Sequence, residues 1–340
     1  MLFRSYMTAE DLQKDLQGKG YTAEIYKKSK YLDDSIAEST GIWAGRHFET
    51  DDAIIFVGAC GIAVRSIAPY VASKKSDPAV LVIDECGKFV ISLLSGHLGG
   101  ANELTLEVAE LLGAVPVVTT ATDLHHRFAV DVFAKKNCCG IQNMKAAKAV
   151  SAALLAGEPV GFYSEFPWTG KLPEGLEESS EDTQDKPEIG IAVTIHPTCK
   201  PFTSTVQIIP RVVTLGMGCR RNKEADVIEK EASVCLADAD IYSQAVEKLT
   251  SISIKKDEVG LQKLAEDWRI PFITFEEEEL SHAEGEFTPS EFVKKITGVN
   301  NVCERSAVLG AEQGRLIKNK TGRNGVTTAL ALRNWEVHFE

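Results

Sequence analysis

The chain has 340 residues, 44% of them hydrophobic and 25% charged, with a formal net charge of −12. That length calls for two or three domains with separate cores, and the composition is that of a soluble globular protein. The acidic balance argues against general affinity for nucleic acid or anionic membranes, and no run approaches the ~20 apolar residues of a membrane span.

Met1 to Tyr6 lacks the apolar core of a signal peptide and leads straight into a polar helix, so a cytoplasmic location is expected. The eight cysteines form no CxxC spacing and read as reduced thiols, with neither a disulfide framework nor a zinc site expected. Asp52 to Val57 reads as a buried strand ending at Gly58, and Val64, Ile67, Ala68 and Val71 mark the face of a following helix. Ala79 to Ile83 is a second strand, joined by the turn Glu85-Cys86-Gly87-Lys88 to a hairpin partner, Phe89 to Ser92. Ser95-Gly96-His97-Leu98-Gly99-Gly100-Ala101-Asn102 follows. It leads into an amphipathic helix with Leu104, Val108, Leu111 and Leu112 on one face. Pro116 to Thr120 is the next strand.

From residue 140 to 210 the pattern changes to a helix (Met144 to Leu155) and the short strand Val160 to Tyr163. An acidic stretch from Pro167 to Pro187 reads as a mobile loop, and strands at Ile189–Ile195 and Thr205–Ile209 follow. Between residues 174 and 188 there are seven acidic side chains against Lys186 alone. A fresh βα run begins at Pro210. Val212 to Leu215 is a strand and Gly216-Met217-Gly218-Cys219-Arg220-Arg221-Asn222 its turn. Ala225, Ile228, Ala232 and Cys235 share one helix face. Strand Ile252 to Ile254 precedes a helix with Leu261, Leu264, Ala265 and Trp268 inward and Asp257 as its cap. Strands at Phe272–Phe275 and Val326–Leu332 complete the series. The expected class is α/β: an N-terminal parallel-sheet α/β domain (1–137), a small α+β middle segment with the acidic loop (138–210), and a C-terminal α/β domain (211–340).

In such sheets ligands sit beyond the carboxyl ends of the strands. Gly58-Ala59-Cys60-Gly61, Ser95 to Asn102 and Thr119 to Asp123 are therefore expected to share one cleft. Glycines in the 95–102 loop let a ligand approach the main chain, a helix start offers free N–H groups, and His97 can exchange a proton near neutral pH. The spacing is neither GxGxxG nor GxxxxGK[ST], which counts against a nucleotide-phosphate enzyme. Gly216 to Arg221 combines a flexible turn with two guanidinium groups suited to carboxylates; it reads equally as a glycine turn with two solvated arginines. Lys255-Lys256 falls at another strand-to-helix turn. Ser95 lacks the setting of a nucleophile, and Cys60 and Cys219 read as structural thiols. His125-His126 has no ligand spacing around it, and no protein-bound metal is expected.

Taken together, DDAIIFVGACGIAVR (ending at Arg65), LLSGHLGGANELT and VPVVTTATD resemble the N-terminal region of the CbiG family. LGMGCRRN, SISIKKDEVGLQKLAE, FVKKITGVNNVCERSAV and GVTTALA resemble its C-terminal domain, while the middle region is only weakly similar. The family usually begins with a strand, of which Met1 to Tyr6 is a short version at best. The resemblance implies hydrolysis of the δ-lactone of cobalt-precorrin-5A, with loss of acetaldehyde, in anaerobic cobalamin biosynthesis. It implies a cobalt-corrinoid substrate that brings its own metal, so no further cofactor is expected. On this reading His97 is the first candidate for proton transfer, with Asp123 or Glu103 behind it. Substrate would be held by Gly58, Cys60, Gly61, Arg65, Ser95, Gly96, Gly99, Gly100, Asn102, Thr119, Thr120, Gly216, Gly218, Cys219, Arg220, Arg221, Lys255 and Lys256. Homodimerisation and hand-over of the macrocycle to other pathway enzymes stay open, as does a carrier that binds the tetrapyrrole without chemistry.

Overall fold

The computed structural model describes residues 2–73, 76–97, 99–120, 128–180, 183, 185–290 and 298–339. The chain forms two compact units, Met1–Val132 and Phe133–Glu340. Among the described residues no helix is long and apolar enough to cross a membrane.

The first unit runs α1 (Leu2–Gly18), α2 (Thr40–Thr50), β1 (Ala53–Val57), α3 (Cys60–Ile67), β2 (Ala79–Ile83), β3 (Phe89–Leu94), α4 (Ala101–Leu112), β4 (Val115–Val117) and the start of α5 (Val130–Lys136). Among the described residues α1 begins at Leu2, so Leu2 to Tyr6, expected as a short first strand, is helical. The sheet order is β1-β2-β3-β4. Strand β2 is buried along its whole length. Because successive side chains alternate across a strand, Ala79, Leu81 and Ile83 join Leu12, Leu16 and Val108 on one face. Val80 and Val82 join Ala44, Phe48, Ala63 and Ile67 on the other. On α3 the buried residues are Ala63, Ser66 and Ile67, and the helix ends before Val71. The face expected from Val64, Ala68 and Val71 is instead exposed.

The pairs β1–β2 and β3–β4 are parallel, but β2 and β3 are antiparallel. The sheet is thus mixed rather than purely parallel. The connection from Asp84 to Lys88 is too short for a crossover, so β3 has to fold straight back. Asp84 secures this turn by accepting hydrogen bonds from the amides of Cys86 (3.0 Å), Lys88 (2.6 Å) and Phe89 (2.6 Å).

The second unit holds two five-stranded sheets. The first takes β5 (Cys139–Gln142), β6 (Val160–Ser164), β8 (Leu176–Glu178), β9 (Ile189–Val193) and β10 (Ser204–Pro210), in the order β5-β10-β9-β6-β8. Helix α6 (Met144–Ala156) packs on it through Ala146, Val150, Ala153 and Leu154. The paired glycines Gly161 and Gly190 leave room for the Phe202 ring, which a Cβ on either would overlap. Within the stretch read as an acidic loop lie β7 (Trp168–Thr169) and β8. Strand β7 pairs with the C-terminal β16 (Val337–His338), and Phe339 stacks on Phe133 with ring centroids 5.1 Å apart.

The other sheet takes β11 (Val213–Cys219), β12 (Val246–Ile252), β13 (Phe272–Phe275), β14 (Arg315–Arg323) and β15 (Val326–Leu332), in the order β13-β12-β11-β15-β14. Strands β11, β12 and β13 are parallel, while β15 is antiparallel to β11 and β14. Four helices among the described residues accompany it: α7 (Ala225–Asp238), α8 (Val259–Trp268), α9 (Glu277–Ser281) and α10 (Cys303–Gly310). Of the residues expected to face inward on α7 and α8, Ile228, Ala232, Cys235, Leu261, Leu264 and Ala265 are buried, whereas Ala225 and Trp268 are only half-buried.

Candidate active site

The Ser95–Asn102 segment is a closed turn feeding α4. Ala101 N–H donates to Ser95 O (3.1 Å), Asn102 N–H to Gly96 O (2.9 Å) and Gly100 N–H to His97 O (2.9 Å). Gly100 adopts φ +83°, a left-handed conformation that glycine takes without steric cost. Gly99 lies against Ser95, whose side chain a Cβ there would overlap. Asn102 is buried and fixes the turn to β3 and to the segment after β4: Ser92 Oγ donates to its Oδ1 (2.6 Å) and its Nδ2 donates to Thr120 Oγ1 (2.8 Å).

This geometry narrows the expected oxyanion donors. The amides of Gly100, Ala101 and Asn102 are already committed inside the turn. Among the described residues, those of Gly96 and Gly99 have no main-chain carbonyl partner. Ser95 adopts φ +59°, and its buried Oγ has no hydrogen-bond partner among the described residues. The hydroxyl is enclosed by the turn and presents no nucleophile.

His97 and Asp131 lie together. His97 Nδ1 is 3.5 Å from Asp131 Oδ2, and the two side chains are 17% and 16% exposed. Asp131, in the first turn of α5, was not singled out by the sequence; no local spacing connects it to a turn so far upstream. Glu103 is exposed in the first turn of α4. Its neighbour one turn on, Glu107, accepts from Tyr21 (2.8 Å) and pairs with Lys19 (3.0 Å). That hydrogen bond is the first cause of a raised Tyr21 phenol, with Glu103 a lesser contributor. Asp123, His125 and His126 lie outside the described residues.

The expected single cleft of three loops does not form. Since β3 is antiparallel to β2, with Val80 opposite Leu94, the 95–102 loop sits at the amino end of β2. Strand β4 follows β3 in direction, so exposed Thr119 and half-buried Thr120 share that edge. Gly58, whose amide donates to Ile83 O (2.8 Å), sits at the carboxyl end, with Cys60, Gly61 and Arg65 beyond it. Five strand residues, about 15 Å, separate the two groups. Arg65 is exposed, and its guanidinium lies over Gly61.

In the C-terminal sheet, β11 continues through Cys219, so Gly216 and Gly218 are strand residues paired with Ala329 and Thr327. Gly216 is buried beneath α10: a Cβ there would overlap the Cys303 carbonyl oxygen. Its small size serves helix packing, which corrects its reading as part of a ligand turn. The turn proper is Arg220-Arg221-Asn222, and both arginines are exposed. Arg220 N–H donates to Gly325 O (2.9 Å), holding the turn to the β14–β15 hairpin.

Parallel β11 and β12 bring Cys219, Lys255 and Glu258 to one edge. Lys255 Nζ lies 2.9 Å from Glu258 Oε2, with side chains 14% and 7% exposed. Glu258 also accepts from the Lys223 amide (3.2 Å). Burial alone would raise the Glu258 carboxyl; Lys255 and the amides of Lys223 and Asn222 outweigh it and hold it below the usual range. Burial pushes the Cys219 thiol up to about 11, with Lys255 opposing and Glu258 adding. It is a protonated thiol at neutral pH. Lys255 is thus engaged by Glu258, while Lys256 is exposed. The strand at this position is Val246–Ile252, followed by a 3₁₀ turn at Ser253–Lys255, and Glu258 rather than Asp257 stands at the start of α8.

A cavity of about 1100 Å³ opens at the opposite edge of this sheet, beside Leu332. Phe166, Trp335, His196, Arg315, Lys318 and Arg333 contribute to its lining, alongside Glu165, Asp238 and Glu336. Among the described residues no group of three or more His, Cys, Asp or Glu could hold a metal ion.

Comparison with known proteins places these features in a family. Residues 43–123 match the family described as cobalamin synthesis G N-terminal, residues 128–210 the cobalamin biosynthesis central region, and residues 213–331 the cobalamin synthesis G C-terminus. A protein of Salmonella typhimurium named cobalt-precorrin-5A hydrolase is 37% identical over 300 residues, covering 85% of this chain and 84% of its own. One of the same name from Priestia megaterium is 35% identical over 298 residues, covering 83% and 79%. The crystal structure of a cobalamin biosynthesis protein G homolog from Sulfolobus solfataricus aligns over 97% of this chain and 94% of that one, with TM-score 0.41 and 22% identity.

Proposed function

Because the chain belongs to the CbiG family, matched in its N-terminal, central and C-terminal regions, we propose that it is a cobalt-precorrin-5A hydrolase of cobalamin biosynthesis. The observation that carries this reading is the 35–37% identity to proteins of that name, sustained over most of both chains. The braced turn of residues 95–102 supplies chemistry to match. It sets a half-buried imidazole beside main-chain amides at the start of a helix, an arrangement suited to hydrolysis of a carbonyl.

On this reading His97 removes a proton from water as the oxygen adds to the lactone carbonyl. The amides of Gly96 and Gly99 stabilise the resulting oxyanion, an effect of about 3–4 kcal/mol for one well-placed donor. Cleavage of the acyl C–O bond leaves a carboxylate on the macrocycle and an alkoxide on the departing carbon. That alkoxide collapses to acetaldehyde as the carbon–carbon bond breaks. The electron pair passes into the conjugated ring, which then takes up a proton. Exposed Arg220, Arg221 and Lys256, and Arg65 in the first unit, are the cations offered to peripheral carboxylates. Cobalt belongs to the substrate, the enzyme needs no cofactor of its own, and its place is the cytoplasm.

The test is anaerobic incubation with cobalt-precorrin-5A and an assay for acetaldehyde. Release by the wild type and its loss, by about 100-fold or more, in His97→Ala are expected. Macrocycle binding without any acetaldehyde would overturn the enzyme in favour of a carrier.

A further inference from the structure

We infer that the crevice where the two sheets of the second unit meet is a binding site for a flat, carboxylate-bearing ring of macrocycle size. The macrocycle of the hydrolase reading belongs to that class, and the ligand rests on that reading to this extent; the crevice itself is a property of the fold. Every residue lining it lies in the second unit, so it is built without the His97 turn.

Strand order places the crevice. Strands β6, β8, β9 and β10 run parallel. Strand β8 lies on one side of β6, whereas β9 and then β10 lie on the other. The chain therefore leaves β6 and β9 toward opposite sides. Such a reversal opens a gap outside the carboxyl ends of the two strands, where ligands of open α/β sheets sit. Glu165 and Phe166 directly follow β6, which ends at Ser164, and Ile195 and His196 lie just past the end of β9 at Val193. All four line the cavity of about 1100 Å³, facing Arg315, Lys318, Leu332 and Trp335 from the other sheet and the segment after it. The volume exceeds the roughly 300–1,000 Å³ of pockets for drug-sized ligands, which calls for a larger ring.

The walls are tied to one another. Strand β7 pairs with β16, and the Val337 amide donates to Pro167 O (2.9 Å), the Arg333 amide to Val212 O (2.9 Å) and the Tyr242 amide to Ile195 O (2.9 Å). His196 Nδ1 donates to Asp240 O at 2.7 Å. A site held in this way spares a ligand the cost of ordering it.

The side chains select the ligand's chemistry. Phe166 and Trp335 meet edge to face, with centroids 5.2 Å apart and planes at 85°, and Trp335 is only half-buried, so an aromatic surface is offered to a flat ring. The acidic residues of the lining are already engaged. Glu165 accepts from the Ile195 amide (3.3 Å), Asp238 pairs with Arg323 (3.2 Å) and Lys318 (3.8 Å), and Glu336 lies 3.9 Å from His338. Arg333 is held by Glu247 (3.3 Å). Exposed Arg315 has no acidic partner among the described residues, and its planar fork matches a carboxylate.

The test is hydrogen–deuterium exchange of the full-length protein with uroporphyrin III, a flat tetrapyrrole with peripheral carboxylates, alongside titration of the porphyrin's absorbance. Saturable binding is expected, with protection of residues 164–167, 194–196, 315–318 and 332–336. Arg315→Glu, a change at an exposed position, is expected to raise the Kd at least tenfold and to remove that protection. Trp335→Leu is expected to raise the Kd about fivefold. Benzenehexacarboxylate, a polyanion too small to fill the crevice, is expected to compete at least 100-fold less well. No protection of those segments, an unchanged Kd in either variant, or equal competition by the small polyanion overturns the inference. Acetaldehyde release from cobalt-precorrin-5A separates the two readings. Release without protection keeps the hydrolase and removes this site, whereas protection without release keeps the site and removes the hydrolase.

Discussion

Two glycine-bearing segments, Ser95–Asn102 in the first unit and Gly216–Asn222 in the second, look alike on paper and do opposite work. In the first, glycines form a turn whose closing amides bond inward, while those of Gly96 and Gly99 have no main-chain acceptor among the described residues. In the second, the strand runs on through the glycines, and the atom that approaches Gly216 is the Cys303 carbonyl oxygen of a packing helix. A missing Cβ creates space, and the neighbouring element decides whether a ligand or a helix fills it. The difference lies in pairing: β15 supplies a partner to every residue from Val213 to Cys219.

The sharpest way to break this comparison is to add a methyl group at each place. Gly216→Ala is expected to destabilise the second unit by about 3 kcal/mol, because a backbone carbonyl cannot step aside as a side chain can. A shifted midpoint in urea unfolding would show it. Gly99→Ala is expected to reduce acetaldehyde release about 100-fold by distorting one oxyanion donor, and to lower that midpoint as well, because its Cβ would overlap Ser95 Cβ and the Ser95 carbonyl oxygen. If the two variants exchange phenotypes, the roles assigned to the two glycines are reversed.

A second pair separates engaged from available cations. Lys255→Met removes the partner of the buried Glu258 and is expected to cost about 2 kcal/mol in stability. Arg221→Ala, at an exposed position, is expected to leave stability unchanged and raise KM about tenfold, the worth of one charge-assisted contact. Equal effects of the two on KM would mean that Lys255 leaves Glu258 to hold substrate.

The smallest effect is on the hairpin that reverses β3. Burial alone would raise the Asp84 carboxyl, yet the amides of Phe89, Cys86 and Lys88 hold it below its ordinary value of 3.8. A depressed carboxylate contributes its full stability above the unfolded value and loses it as pH falls through the folded one. Asp84 therefore stabilises the first unit above about pH 4 and ceases to do so in more acid solution. Asp84→Asn should lower the thermal midpoint at pH 7 by a few degrees and erase part of its fall below pH 4.

Legibility differed by element. The buried strands Ala53–Val57 and Ala79–Ile83 and the faces of α7 and α8 were plain, because long apolar periodicity has few structural solutions. Helix α2 went unread: Gly45 interrupts it, and only the Tyr70 ring packed against that glycine explains its presence. Strand β14, RLIKNKTGR, is a polar edge strand that carries almost no hydrophobic signal. The hairpin at Asp84 was legible, but its consequence is topological. Once β3 runs backward, Gly58–Cys60 and the His97 turn belong to opposite edges.

Local pattern thus determined the α/β class, the buried strands β1 and β2, most inward residues of α7 and α8, the loop around His97 and the family. These depend on neighbours in the chain, which a linear reading contains. The tertiary structure alone decided which amides close that loop, which glycines face a helix, and that Asp131 meets His97. Each of these is set by strand direction and by contacts between residues far apart in sequence, where no spacing rule reaches.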